Sequence, residues 1–437
     1  LTMLNFPKTF KGGYRFKSYS GQVQPDIISC KIPSQVIIPL KQGFGIEVKP
    51  LVKKGENVSA GQIIGRDDDC VCSPAHSSVK GIVEDIRRIN YLKDNVTMVF
   101  IRSTEPSVEI SRLSGYSAQW TKVSSEKIEE LIYLSGVSSL GNAGIPTHFK
   151  SSIIPPEEVR HLIINGIDSE PYRISSDLLL QAENLAHFFE GVKILKKIMP
   201  NCKVHLAIEP ANRRIINELS KLSLQADLMD TYPLEPKYPQ GCDEMLVSTM
   251  LKQRFPYGYS AANIGVIVLN IEAVLNVYNA VTEGLPLIEK TVAFCGPDMS
   301  ENLCYKIRVG TPLGEVIKER IKKDHSRLVL DSLLTGFNLE DLSIPLGRTF
   351  SKIIAIPENK EREFLAFIRP GIKSDSYTRA FLAQWLANAQ KSPDATPHGE
   401  ERPCISCGYC EEVCPVRIIP HLLSKHVERE IIDEKLV

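Results

Sequence analysis

The chain has 437 residues, and its 52 lysine and arginine side chains equal its 52 aspartate and glutamate side chains in number. This balance leaves no overall field that would attract nucleic acid or an acidic membrane surface, so partners must be recognised by local surfaces. No apolar run reaches the roughly 18 residues that span a bilayer, because the longest candidates, such as residues 264–275, carry polar residues. The length predicts about three domains, and the scattered cysteines are typical of a reducing compartment.

Short apolar runs separated by turns predict a small all-β module over residues 28–102. Within it, residues 52–65, followed by 73–75 and 81–83, resemble the barrel-sandwich hybrid fold of lipoyl and biotinyl carriers. Such carriers present a modified lysine on the hairpin between their two halves, but residues 66–70 contain no lysine. We therefore expect the fold of a carrier without its swinging arm.

From about Lys122 the apolar pattern alternates between strands and helices. The predicted strands are residues 161–165, 203–207, 264–269 and 291–294, and the predicted helices are residues 124–135, 176–198, 211–222, 242–253 and 272–281. This alternation predicts a mostly parallel sheet with helices on both faces. Ligands of such sheets bind at the carboxyl ends of the strands.

Two loops of this region are candidates for holding a nucleotide. Residues 136–150 form a glycine-containing turn beside a helix, and residues 165–172 follow a strand. Together they could cradle a phosphate, but glycines in a turn serve a purely structural role at least as often. The dinucleotide fingerprint G-x-G-x-x-G is absent from the sequence.

The last part of the chain carries a cysteine motif. Cys404, Cys407, Cys410 and Cys414, followed by Pro415, have the C-x2-C-x2-C-x3-C-P spacing of a bacterial ferredoxin loop. In two-cluster ferredoxins the fourth cysteine binds the other cluster, and no second motif follows here. The fourth ligand is therefore Cys414, a cysteine elsewhere in the chain, or a residue beyond Val437. A zinc site is the alternative, although zinc favours two separate C-x2-C pairs.

Several motifs, in one order along the chain, resemble a known family. They are residues 237–244 (KYPQGCDE), residues 263–270 (NIGVIVLN) and residues 284–290 (GLPLIEK). They look like the RnfC/NqrA family, which includes RnfC of the Rnf electron-transport complex and NqrA of the sodium-translocating NADH:quinone reductase, Nqr. Residues 364–379 and 397–400 resemble NqrA, which usually lacks the cluster cysteines. The chain is thus similar to NqrA with an RnfC-type ferredoxin loop retained, and the resemblance covers nearly its whole length.

The resemblance implies a flavin site. In RnfC and the related flavoprotein of respiratory complex I the flavin loop reads G-x-G-G-A-G-F-P-T, and the residues that match it here are Gly141, Ala143, Gly144, Pro146 and Thr147. The implied FMN- or NADH-binding residues are Gly141 and Gly144 in this loop and Asn165 and Glu170 in the next. Ser139 and Asn142 replace glycines of the pattern, which places side chains where the backbone would approach the phosphate. We therefore expect FMN to bind weakly or not at all, with NADH and quinone bound at the level of a complex.

The predicted architecture is multidomain α/β. The barrel-sandwich module (28–102) precedes a Rossmann-like α/β domain of the complex I flavoprotein-subunit type (122–300). A β-grasp, SLBB-like module (303–345), an α/β extension and linker (346–395), and an incomplete ferredoxin-like iron-sulfur segment (396–437) follow. The four cysteines of that segment are the predicted ligands of a 4Fe-4S cluster.

The function predicted from these features is that of a peripheral electron-transfer subunit in an ion-translocating Nqr- or Rnf-type complex, which couples NADH oxidation to sodium transport. Its partners would be the membrane subunits of that complex, and its place would be the cytoplasmic side of a bacterial inner membrane, without insertion into the bilayer. The alternatives are a zinc-stabilised scaffold and a non-catalytic docking subunit.

Overall fold

A computed structural model describes the chain over residues 8–16, 19–43, 45–67, 72–104, 109–137, 155–226, 228–256, 258–322, 326–358, 393–395 and 403–430. The strands are β1 (Ile27–Ser29), β2 (Gln35–Pro39), β3 (Lys49–Pro50), β4 (Asn57–Val58), β5 (Ile63–Arg66), β6 (Ala75–His76), β7 (Gly81–Tyr91), β8 (Asp94–Ser103), β9 (His161–Gly166), β10 (Lys203–Ile208), β11 (Asp230–Pro233), β12 (Val266–Asn270), β13 (Glu289–Cys295), β14 (Cys304–Arg308), β15 (Ser326–Leu330), β16 (Phe337–Asn338) and β17 (Lys352–Pro357). The helices are α1 (Ser125–Ser135), α2 (Ser176–Leu179), α3 (Asn184–Ile198), α4 (Arg213–Ala226), α5 (Asp243–Leu251), α6 (Ile271–Tyr278), α7 (Leu313–Ile317), α8 (Tyr409–Val413) and α9 (Pro420–Glu428). In this described part, no helix is both long enough and apolar enough to cross a membrane.

Strands β2 to β8 form the predicted all-β module as two antiparallel sheets, in the orders β2-β8-β7-β4 and β3-β5-β6. Alternation along β2 and β8 gives this module two buried faces. Val36 and Val99 point into the module's own core, whereas Ile37, Met98 and Phe100 pack into a second core with the sheet that contains β13. The module is therefore fixed against the rest of the protein by apolar side chains of its own strands.

Strands β9 to β12 form a four-stranded, fully parallel sheet in the order β11-β10-β9-β12. Its strands are continuous apolar runs, such as Leu162, Ile163 and Ile164, because helices cover both faces. The chain moves outward from β9 to β11 and then returns to the other side of β9. The crevice between the carboxyl ends of β9 and β12 is thus the topological switch point, where ligands of such sheets bind.

The predicted single helix over residues 176–198 is in fact two helices. Between α2 and α3, Ala182 adopts a left-handed conformation with φ +50°. The side-chain amide of Asn184 donates a hydrogen bond to the Leu179 carbonyl over 2.9 Å and so satisfies the end of α2. This side-chain bond competes with a continuous helix, as asparagine commonly does.

A third sheet joins distant parts of the chain in the order β1-β14-β13-β17-β15-β16. Strand β13, predicted within the parallel sheet of the α/β domain, lies here instead, antiparallel to β14 and parallel to β17. Strand β1, predicted within the barrel-sandwich module, also lies here and pairs with β14. An apolar run indicates a buried strand but not its neighbours, and these pairings are long-range ones that local sequence does not encode.

One buried arginine connects the all-β module, helix α1 and the third sheet. The side chain of Arg348 is enclosed, and its guanidinium donates hydrogen bonds to Ser73 Oγ and to the Gly136 carbonyl, both over 3.0 Å, and to the Pro74 carbonyl. Burial lowers the pKa of Arg348 to about 10, so the group is still charged near neutral pH. Gly136 immediately precedes the candidate glycine-containing loop.

A histidine pair lies near the amino ends of β9 and β10, at the opposite end of the parallel sheet from the switch point. His161 Nδ1 and His205 Nε2 are 2.9 Å apart, and Asp230 Oδ2 lies 4.0 Å from His205 Nδ1. Burial first, and then the neighbouring His161, lower the pKa of His205 to about 4; Lys203 and Lys8 act in the same direction and Asp230 opposes them. The folded protein therefore keeps His205 neutral well below its ordinary pKa of 6.5.

We expect this histidine to make the fold acid-sensitive. The unfolded chain binds a proton at His205 near pH 6.5, whereas the folded chain resists until about pH 4. The free energy of unfolding should therefore be highest above pH 6.5 and fall toward pH 4 by at most about 1.4 kcal/mol per unit for this group. Urea unfolding across this range should show a shallower decline for His205→Gln than for the native chain. His187→Gln, at a half-buried histidine stacked on Tyr278, is the control and should keep the native slope. Equal slopes for His205→Gln and the native chain would contradict the assignment.

Candidate functional site

A cavity of about 900 Å³ opens at the switch point of the parallel sheet. Its floor consists of residues 165–170, which follow β9, and residues 268–272, which end β12 and begin α6. Residues 331–337 and 349–352 of the third sheet form one wall. Lys41 and residues 91–94 of the all-β module, which we call the rim, form another part of the lining. Residues from all three sheets thus enclose one space, of the size that holds a cofactor.

Backbone and side-chain hydrogen bonds shape the floor after β9. Asn165 donates from Nδ2 to the Gly241 carbonyl and accepts from the Ile167 N–H at Oδ1, both over 2.9 Å. Ser169 Oγ accepts from the Gly241 N–H over 3.2 Å. A Cβ on Gly166 would lie 2.8 Å from the Ala207 carbonyl oxygen, so only glycine fits there. The loop 165–169 is therefore fixed before any ligand binds.

A buried ion pair joins this floor to the third sheet. Lys352 Nζ lies 2.7 Å from Asp168 Oδ2, and the Asp168 carboxylate also accepts from the backbone N–H groups of Glu170 and Ile174. Burial alone disfavours the ammonium, but the attraction of Asp168 and Glu170 outweighs it and raises the pKa of Lys352. Lys352 is therefore a permanent positive charge beneath the cavity.

Glu170 faces the same charges. Ser332 Oγ donates to Glu170 Oε2 over 2.9 Å. Burial raises the pKa of Glu170, while Lys352 and the Ser332 hydroxyl oppose that rise. Glu170 is thus a carboxyl group that can hold a proton at higher pH than usual while lining a ligand-sized cavity, which is typical of functional sites.

A second buried ion pair lies on the β12 side of the crevice. Lys290 Nζ, fully enclosed, lies 3.1 Å from Glu272 Oε2 at the start of α6. Burial lowers the pKa of Lys290 and Glu272 partly offsets it. Asp331, whose pKa burial raises, accepts from the Ser351 N–H over 2.6 Å. Lysines from β13 and β17 therefore reach carboxylates at the ends of β12 and β9, one pair on each side of the switch point.

The structure brings together two of the four cofactor-binding residues predicted from the sequence. Asn165 and Glu170 both line the cavity. Gly141 and Gly144 lie outside the described residues, as do Ser139 and Asn142. Sequence reasoning missed Asp168, Ser332 and Lys352. For Lys352 a signal existed, since it begins an otherwise apolar strand, and a lysine in such a place needs a buried partner.

The cysteine segment is described over residues 403–430 and packs on the chain near residue 13, where the Gly13 N–H donates to the Val413 carbonyl over 2.7 Å. Cys404, Cys407 and Cys410 are exposed and Cys414 is half-buried. The Ser406 N–H points to Cys404 Sγ at 3.4 Å, and Cys410 Sγ lies 3.7 Å from His421 Nδ1. Four thiols suit an iron-sulfur cluster chemically. Within the described ranges, however, no three His, Cys, Asp or Glu side chains come close enough together to hold a metal ion.

The cavity floor also fits a flavin. Hydroxyl, amide and carboxyl groups line it beside the aromatic rings of Tyr238, Phe337 and Phe350, which provides the mixture of stacking surface and edge hydrogen bonds that a flavin ring needs. The Cys242 thiol in this lining is not a candidate nucleophile, because burial, followed by Glu244 and Asp243, raises its pKa to about 11.

Two family models match the chain. Residues 8–105 match the RnfC barrel sandwich hybrid domain, and residues 132–279 match the Nuo51 FMN-binding domain. The first match confirms the predicted barrel-sandwich module. The second covers the parallel sheet and both sides of the crevice, and it supports FMN, against the expectation of weak or absent flavin binding.

Curated relatives align along almost all of the chain, and those described here are the RnfC-type components of their complexes. The one from the proton-translocating ferredoxin:NAD+ oxidoreductase complex of Clostridium ljungdahlii is 25% identical over 96% of this chain and 86% of its own length. Its counterpart in the Na+-translocating ferredoxin:NAD+ oxidoreductase complex of Acetobacterium woodii is 25% identical over 98% and 89%. The counterpart in the ion-translocating oxidoreductase complex of Vibrio cholerae is 25% identical over 97% of this chain but 51% of its own length.

Among solved structures, an NAD+-reducing NiFe hydrogenase in its H2-reduced state is similar, with a TM-score of 0.46 and 18% identity over 59% of this chain and 50% of that chain. The sequence matches do not show the predicted likeness to NqrA. Because an RnfC domain model matches and the aligned relatives are RnfC-type components of such complexes, the matches support the RnfC family for this chain.

Proposed function

We propose that this chain is an electron-transfer subunit of an Rnf-type ion-translocating ferredoxin:NAD+ oxidoreductase complex, with FMN in the cavity at the switch point. One observation carries the proposal: the segment that matches an FMN-binding domain model is the one whose strand ends form the cavity floor. The similarity to RnfC-type relatives along almost the whole chain supports it. These relatives differ in the ion they translocate, so no coupling ion is proposed.

In this proposal the described residues position and charge the flavin site. The rigid loop 165–169 and the start of α6 would hold the ring, and Glu170 would hold a proton close to it. FMN, when bound, supplies the exchange between two-electron hydride donors and one-electron carriers. Cys404, Cys407, Cys410 and Cys414 would hold a 4Fe-4S cluster once the loop closes around it. The predicted NADH:quinone activity, sodium coupling and Nqr branch remain predictions of the sequence.

The chain would work at the cytoplasmic face of a membrane, attached by protein contacts to the membrane subunits of the complex. A docking role without redox activity is the second candidate. The ungrouped cysteines of the described structure favour it, as do Ser139 and Asn142 in the flavin loop. The two candidates differ in whether the chain carries cofactors.

Anaerobic purification followed by flavin extraction and iron, sulfide and zinc analysis separates them. We expect stoichiometric FMN to be released by heat, and iron and sulfide in similar amounts. Cys407→Ser should lose iron and keep FMN, because the two sites are separate. The double variant Ser139→Gly/Asn142→Gly should bind FMN more tightly, because the backbone can then approach the phosphate. Absence of both flavin and iron would favour the docking role, and stoichiometric zinc without iron would favour a scaffold.

A further inference from the structure

The rim of the cavity comes from the all-β module, which the FMN-binding model does not cover. Strands β7 and β8 pair up to Tyr91 and Asp94, so Leu92 and Lys93 form a two-residue turn at the tip of the hairpin. Tyr91 anchors this tip: its side chain is buried in the second core, and its hydroxyl donates to the Pro345 carbonyl over 3.4 Å. The hairpin therefore presents Lys93 at the cavity from a fixed position.

The rim and the floor have opposite electrical characters. On the rim, Lys41 Nζ pairs with Asp94 Oδ2 at 2.6 Å, and Lys93 lies over the Phe337 ring, 5.5 Å from its centroid. In the described part of the chain Lys93 forms no ion pair, so the rim has a net positive charge. The floor and wall instead present four carboxyl groups against two buried lysines; the carboxyl groups are Asp168, Glu170, Glu272 and Asp331.

This polarity orients a nucleotide. A phosphate at the floor would face an excess of carboxyl groups, whereas at the rim it would meet the ammonium of Lys93, and lysine binds phosphate as a point charge. An uncharged ring with hydrogen-bonding edges suits the floor. We propose that the tip of the β7–β8 hairpin, through Lys93 with Lys41 beside it, binds a phosphate group of the nucleotide that occupies the cavity. This inference rests on the proposed function and adds that the all-β module is part of the nucleotide site.

Titrations of the intact chain with paired ligands test it. NADH and FMN carry phosphate; the reduced nicotinamide riboside and riboflavin are their phosphate-free counterparts. Lys93→Met should weaken binding of the phosphate-bearing member of a pair by about five- to tenfold, as expected for one charge-assisted contact at a partly exposed site. Its phosphate-free counterpart should bind the variant and the native chain equally. The pair that responds identifies which nucleotide places its phosphate at the rim.

Lys93→Arg should restore most of the affinity, and Lys306→Met, at an exposed lysine on β14 that does not line the cavity, is the matched control. If Lys93 only packs on Phe337, Lys93→Met will lower thermal stability and leave every dissociation constant unchanged, which would overturn the inference alone. If the native chain binds none of the four ligands, the proposed function fails and the inference with it.

Discussion

Replacing Arg348 by methionine should lower the free energy of unfolding by about 3 kcal/mol, because two buried carbonyl groups and a hydroxyl lose their donor. Methionine fills a similar volume, so the loss measures hydrogen bonding rather than a cavity. The Gly136 and Pro74 carbonyls belong to α1 and to the all-β module, and the arginine itself precedes β17. Denaturant unfolding should therefore show a lower midpoint and, if the modules begin to unfold separately, a broader transition.

The charge has a cost that works in the other direction. Burial lowers the pKa of Arg348 to about 10, which shows that the folded protein disfavours the bare guanidinium. The three hydrogen bonds outweigh that cost, since hydrogen bonds from charged donors contribute about 1.5–3 kcal/mol each. Arg102→Met is the control: Arg102 pairs with Glu84 on the surface, so its loss should cost less than about 1 kcal/mol. A neutral or stabilising Arg348→Met would show that desolvation is the larger of the two terms.

Lys352→Met should cost about 3 kcal/mol near neutral pH, because it leaves the Asp168 carboxylate enclosed without its cation. We choose the lower end of the range for broken buried pairs because the Asp168 side chain is 20% exposed. The loss should shrink toward pH 4, where the unpaired carboxyl group can take up a proton instead of staying charged. Chemical unfolding at both pH values measures this difference.

The double variant Lys352→Met/Asp168→Asn should be more stable than the sum of the single losses predicts, since the second change removes the stranded charge. Lys306→Met, on β14 of the same sheet but exposed, should change the free energy of unfolding by less than about 0.5 kcal/mol. Additive losses in the double variant would mean that Lys352 and Asp168 stabilise the fold independently. The cross-sheet ion pair would then not be what fixes the cavity floor.

Much of the local structure is predictable from the sequence. The period-2 pattern of β2 and β8 and the helical spacing in α1 appear in the structure at nearly the predicted bounds. Helix α1 even begins at its capping serine, where Ser124 Oγ accepts from the Lys127 N–H. These elements are set by nearest neighbours along the chain, so a short window contains the information.

The errors concern partners far apart in sequence. Strand β13 has the apolar pattern of a central strand in either sheet, and only its long-range pairing with β17 decides between them. The same holds for the site. Asn165 and Glu170 lie in a loop after a strand and could be found, but Ser332 meets Glu170 from 162 positions away in the chain. No pattern local to either residue specifies that contact.

The placement of β1 has a consequence for how the chain is made. Ile27 pairs with Cys304, so this strand has no partner until the ribosome has produced about 280 further residues. At 5–20 residues per second that interval lasts roughly fifteen seconds to a minute. The all-β module and the parallel sheet complete their strands from nearer segments and can fold within it. The third sheet must close last, around two folded neighbours, and until then Ile27 and Ile28 present an uncovered strand to every other nascent chain.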